Sequence, residues 1–130
     1  MAGYRTSLSR ARGLGSAKHG VAHWLAERVT AVALVPLVLW GAWSAIVLAR
    51  TGYDGAVSFL TNPVNAVFMS LLLAVGFWHM QAGLRVVIED YVQKPFLKNA
   101  LLVLNLFVCA LYGALAIFCV LKVAFTGGAY

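Results

Sequence analysis

His79 lies in a stretch, Gly55 to Leu84, that holds no charged residue, and Asp90 and Tyr91 follow it by eleven and twelve positions. An ionisable side chain at membrane depth is costly and calls for a partner or a ligand. Neutral imidazole is also the commonest metal-binding side chain. Taken singly, each residue has a plain structural reading. His79 reads as an imidazole hydrogen-bonded across a helix bundle, Asp90 as a solvated carboxylate at a helix end, and Tyr91 as an aromatic-belt residue. Arg28 reads as an ordinary basic flank.

Spacing adds to these readings. Gly76, His79, Gly83, Val86 and Asp90 fall at −3, 0, +4, +7 and +11, one face of a helix at 100° per residue. Glycine stands one turn above and one turn below the imidazole. Two missing side chains leave a flat cleft, wide enough for a neighbouring helix or a planar macrocycle. Asp90 then sits about 16 Å from His79 along the axis. Arg85 and Glu89 are one turn apart and can pair with each other.

The elements that must hold these residues are membrane spans. Of the 130 residues, 62% are hydrophobic and 11% charged, against about 25% charged in a soluble domain. Three uncharged runs stand out: Val29 to Ala49, Val64 to Leu84, and Asn99 to Leu121, of 21, 21 and 23 residues. A helix crosses the hydrocarbon in roughly 20 residues. The runs are apolar around their whole circumference, which excludes a soluble core. The fold expected is an all-α membrane protein of three transmembrane helices, at about 22–49, 64–90 and 96–124. A flexible basic tail (1–17) precedes the anchor domain (18–126), and a short tail (127–130) follows it.

Orientation follows from the basic residues. Arg5, Arg10, Arg12, Lys18 and Arg28 precede the first span, and Arg85, Lys94 and Lys98 surround the second connection. The other side holds only Arg50 and Lys122. The positive-inside rule puts the N-terminus inside, at the cytoplasm or matrix, and the C-terminus outside. The net charge of +6 is thus a topology signal. A nucleic-acid partner would need a soluble basic face, and none is offered.

Local signals refine the spans. Trp24 and Leu25 suit an interfacial entry turn, and Pro36 is expected to bend the first span. Trp40 and Trp43 read as belt residues near the outer interface. Thr51-Gly52 and Asn62-Pro63 read as turns of an outer loop. Pro95 suits the first turn of the third span. Asn105 reads as an interhelical hydrogen bonder. Cys109 and Cys119 are about 15 Å apart along one helix and cannot pair there. The first 18 residues hold no acidic residue, a composition shared by organellar transit peptides and bacterial cytoplasmic tails. The lack of a long presequence favours a multi-pass protein of a bacterial inner (plasma) membrane over a mitochondrial one.

One intramembrane histidine supplies one axial ligand, so a six-coordinate haem would need a second from another subunit. His19 and His23 precede the first span near the inner surface and are poor candidates for it.

Two blocks carry a family resemblance. Gly20 to Leu37, GVAHWLAERVTAVALVPL, looks like the entry to the first span, and His79 to Val92, HMQAGLRVVIEDYV, fits His-x3-Gly-x6-Asp-Tyr at the inner end of the second. Lys94-Pro95 follows. With these the chain resembles the small hydrophobic anchors, or cytochrome b556 small subunits, of succinate dehydrogenase, respiratory complex II, from Gly20 to about Phe125. The resemblance implies that His79 is an axial ligand of haem b iron, the other ligand coming from the larger cytochrome b anchor subunit. It implies that Tyr91 hydrogen-bonds a ubiquinone carbonyl and that Asp90 shapes or protonates that site. Arg28 would lie near the haem propionates and the quinone. The chain has no flavin fingerprint and no cysteine cluster for iron–sulfur centres, so flavoprotein and iron–sulfur partner subunits would oxidise succinate. The chain would serve electron transport and the tricarboxylic acid cycle without being an enzyme alone. Two alternatives stay open: the anchor of a related fumarate reductase, and a non-redox membrane scaffold.

Overall fold

The computed structural model describes residues 6–11, 13 and 20–127. His19, the side chain of His23 and residues 128–130 lie outside the described residues. Four helices follow in order: α1 (Ser7–Ala11), α2 (Gly20–Thr61), α3 (Pro63–Tyr91) and α4 (Pro95–Thr126). Each of the last three contains a segment long and apolar enough to cross a membrane. At 1.5 Å per residue, the 29 residues of α3 extend about 44 Å, the full depth of a bilayer with its headgroups.

Helix ends follow local chemistry. The Asn62 side chain accepts from the Val64 N–H at 3.0 Å, and Pro63 opens α3 where no N–H is needed. Pro95 does the same for α4, which closes on Gly127 in the left-handed conformation, φ 60°. Within the stretch expected to be a flexible tail, α1 forms because the Thr6 hydroxyl accepts from the Ser9 N–H at 3.1 Å.

The first span departs from its expected bounds. Helix continues past Ala49, remains helical through Pro36, and breaks only at Gly52, with φ 67° and ψ −160°. Non-glycine residues avoid that conformation. The expected outer loop is therefore a second helical segment that doubles back, held by aromatic contacts. Trp40 stacks on Phe59 (centroids 5.9 Å) and tilts against Phe68 (5.4 Å). Trp40 is thus a packing residue, while Trp43 is exposed as a belt residue would be.

The three long helices pack antiparallel, with α3 in the middle. Thr30 meets His79 and Trp40 meets Phe68 across α2 and α3. Across α3 and α4, the buried Asn105 donates from Nδ2 to the Gln81 carbonyl at 3.0 Å and accepts from the Cys109 thiol at 3.4 Å. Asn105 is thus the interhelical hydrogen bonder its position suggests. Lys98 ties the two helices at one end through the Glu89 carbonyl, 2.8 Å. This arrangement puts Arg28, Arg85 and Lys98 at one end of the bundle and Arg50 and Lys122 at the other.

Close packing rests on small residues, as membrane bundles require. A Cβ at Gly113 would lie 3.2 Å from Phe77 Cβ and Cγ, so α3 and α4 touch there. Replacing Gly113 by Val should force these helices apart at a cost of about 1–3 kcal/mol. The thermal midpoint of the detergent-solubilised protein should fall. Ala114→Val, at an exposed neighbouring position, should leave it nearly unchanged.

Candidate functional site

His79 packs against α2 at Thr30, half-buried. Its Nδ1 lies 2.9 Å from the Thr30 hydroxyl on α2. No other hydrogen bond of this ring is found among the described residues. That bond uses Nδ1, and no hydrogen bond of Nε2 is found among the described residues.

Beside the ring runs an open groove of about 400 Å³, lined by Ala31, Leu34, Val35, Val38, Leu39 and His79. The first four of these recur at helical spacing on one face of α2. The imidazole is the only polar side chain in that lining. Gly76 and Gly83 face open space: a Cβ at either would meet nothing within 4 Å. The glycines therefore leave room as their spacing predicts. The main groove, however, runs on the α2 side of the ring, and Gly76 lines a separate hollow of about 150 Å³ with Leu72, Leu73, Phe77 and Met80.

Arg28 is exposed, and its guanidinium lies 5.6 Å from the centre of the Trp24 ring, a cation–π contact. It precedes Thr30 by two residues, so in depth it lies close to His79. Asp90 and Tyr91 stand at the C-terminal end of α3, about 16 to 18 Å further along the axis. Both are exposed, Tyr91 by 82%, and neither side chain makes a hydrogen bond among the described residues. The structure thus joins Thr30 to His79, leaves Arg28 nearby, and keeps Asp90 and Tyr91 apart at one end of the bundle. Among the described residues, no cluster of three or more His, Cys, Asp or Glu side chains could hold a metal ion.

Arg85 and Glu89 pair as their spacing predicts, Nε to Oε1 at 2.8 Å. Thr30 was not legible as a site residue. The available signal was a hydroxyl at the second position of the first apolar run.

Three apolar spans joined by buried polar contacts, with one imidazole against an apolar groove, define a polytopic all-α membrane subunit. Comparison with known proteins narrows this. Residues 2–125 match the family described as succinate dehydrogenase/fumarate reductase transmembrane subunit. The chain is 31% identical over 100 residues to the succinate dehydrogenase hydrophobic membrane anchor subunit of Rickettsia bellii, covering 77% of this chain and 80% of that one. It is 34% identical over 102 residues to the subunit of the same name from Paracoccus denitrificans, covering 76% and 77%. It is 30% identical over 78 residues to the succinate dehydrogenase membrane anchor subunit of Reclinomonas americana, covering 58% and 65%. The chain belongs to the succinate dehydrogenase/fumarate reductase transmembrane subunit family.

The Arg85–Glu89 pair is 46% and 42% exposed, and exposed pairs of this spacing contribute about 0.3–0.5 kcal/mol. Arg85→Gln should therefore leave the thermal midpoint of the solubilised protein nearly unchanged. A large fall would show that Arg85 has a further partner.

Proposed function

We propose that this chain is the small membrane anchor of a succinate:quinone oxidoreductase. It holds the flavoprotein and iron–sulfur subunits at a bacterial inner membrane, beside a larger cytochrome b subunit. The observation that carries the reading is His79: an imidazole at membrane depth with one nitrogen engaged by Thr30, no hydrogen bond of the other found among the described residues, and an apolar groove alongside. Family membership and the relatives' names support the anchoring role. The relatives compared above are all named for succinate dehydrogenase, which favours succinate oxidation over fumarate reduction.

The residues fit a haem b. A neutral imidazole nitrogen is the donor that such iron takes, and the open space at Gly76 and Gly83 gives a macrocycle room against α3. His79 would be one axial ligand, and the larger subunit would supply the other. Haem b held there supplies one-electron redox chemistry whose potential the pocket tunes. Arg28, close to His79 in depth, would offer its guanidinium to the propionates, for which its planar fork is suited.

Asp90 and Tyr91 would form one wall of a ubiquinone site at the inner end of α3. The Tyr91 phenol would donate a hydrogen bond to a quinone carbonyl oxygen, strongest as negative charge develops there. Asp90 would stand where lipid-soluble quinone meets water and would hold or pass a proton at its carboxyl oxygen. The basic flanks support an N-terminus on the cytoplasmic side, which puts this end next to the soluble subunits.

The test is a dithionite-reduced minus oxidised spectrum of the purified complex. His79→Leu should abolish the b-type band while the four subunits remain together. An unchanged band would return His79 to a packing role. Tyr91→Phe should keep the band and lower the rate of quinone reduction about tenfold, the cost of one hydrogen bond to a charged group. Normal quinone turnover in that variant would remove Tyr91 from the site.

A further inference from the structure

Thr30 has one hydroxyl proton and three close neighbours. Its Oγ1 lies 2.9 Å from the Ala26 carbonyl oxygen, 3.0 Å from the Glu27 carbonyl oxygen and 2.9 Å from His79 Nδ1. The two carbonyl oxygens can only accept, whereas Nδ1 of a neutral imidazole donates or accepts according to its tautomer. Consider the proton pointed at Nδ1. The hydroxyl lone pairs would then face two carbonyl oxygens at hydrogen-bond distance with no hydrogen between, and both contacts would be repulsive. Now place the proton toward the carbonyls, shared between the last turn's oxygens as helix threonines commonly do. The lone pair then faces Nδ1, which must carry the ring proton. Only this arrangement makes all three contacts favourable.

We infer that Thr30 is a positioning residue that fixes His79 in the Nδ1–H tautomer and so keeps the Nε2 lone pair available to a metal. The inference rests on the haem reading above and deepens it. Nδ1–H donation raises the basicity of the opposite nitrogen and locks the ring plane, the two effects by which outer partners strengthen a metal-bound histidine. The acceptor comes from α2, so the first span sets the ligand that the second span carries. The short reach matters as well. The hydroxyl is anchored to its own helix backbone, and a rotation of α2 would break the contact with Nδ1.

The experiment uses the purified four-subunit complex, with Thr30→Val, Thr30→Ser and His79→Leu beside wild type. Two quantities are read: the rate at which haem leaves the complex for an excess of a haem-scavenging apoglobin, and the haem midpoint potential. Thr30→Val keeps the shape and removes the acceptor. It should release haem about 10- to 100-fold faster, the usual cost of losing such a partner in metal affinity. Its midpoint should shift positive, because a less basic ligand stabilises ferric iron less. Thr30→Ser keeps the hydroxyl and should restore both values toward wild type. A Val variant with wild-type release and midpoint overturns the inference and leaves the anchor reading intact. If the Val variant does not assemble, Thr30→Ser decides: wild-type haem retention supports the hydroxyl's role, and release at least about tenfold faster than wild type although the hydroxyl is kept assigns Thr30 to packing alone. Retention of the b-type band in His79→Leu would instead sink the haem reading and this inference with it.

Discussion

Inside hydrocarbon there is no water to satisfy a polar side chain, so each such group must find its partner on protein. In this chain three of those partnerships fix the bundle. Thr30 with His79 joins α2 to α3. Asn105 with the Gln81 carbonyl joins α3 to α4. Asn65 with the Phe59 carbonyl, 3.1 Å, ties the doubled-back end of α2 to the start of α3. Apolar packing alone is a weak guide to register in lipid, because lipid tails are as apolar as leucine. A few directed hydrogen bonds select one sliding position among many, and small residues at Gly41 and Gly113 then let the helices close.

The same constraint explains how thin the protein is. Most large apolar side chains of the spans are exposed, and among the described residues Leu37, Ala66, Ala82, Cys109 and Val120 form the buried apolar set. A soluble chain with so small a core would not fold. Here lipid covers most of that surface, and the groove beside His79 is an opening in one wall rather than an enclosed pocket. A site assembled from such a wall depends on what stands against it.

Much of the fold was legible in the sequence because its signals are one-dimensional. Uncharged runs gave the spans, Pro95 marked the start of α4, and i,i+4 spacing gave the Arg85–Glu89 pair, whereas Asn62-Pro63, which reads as a turn, is the cap and first turn of α3. Asn105 was legible as an interhelical bonder, although its acceptor was not. The doubled-back segment after Gly52 was read as loop, because turn residues mark where a chain bends and not whether the residues between are helical. Trp40 reads as a belt residue in the sequence because its partner Phe59 comes close only after that reversal. Thr30 escaped notice for a related reason. Its meaning depends on the register of α2 against α3, which no periodicity within one helix reveals. His79, Asp90, Tyr91 and Arg28 were chosen by residue type and resemblance, and the fold adds their depths and their separation.

The connection between α3 and α4 is only Val92 to Lys94. So short a link cannot be left behind on the far side while one helix crosses alone. The two helices form a single hairpin, with Lys94 in its tip and Arg85 and Lys98 close to it. Asp90 and Tyr91 sit at that tip, so the place at which they stand is fixed together with the α3–α4 contact. Lengthening the tip would uncouple these two outcomes. Three linking residues thus tie the place of Asp90 and Tyr91 to the packing of two helices.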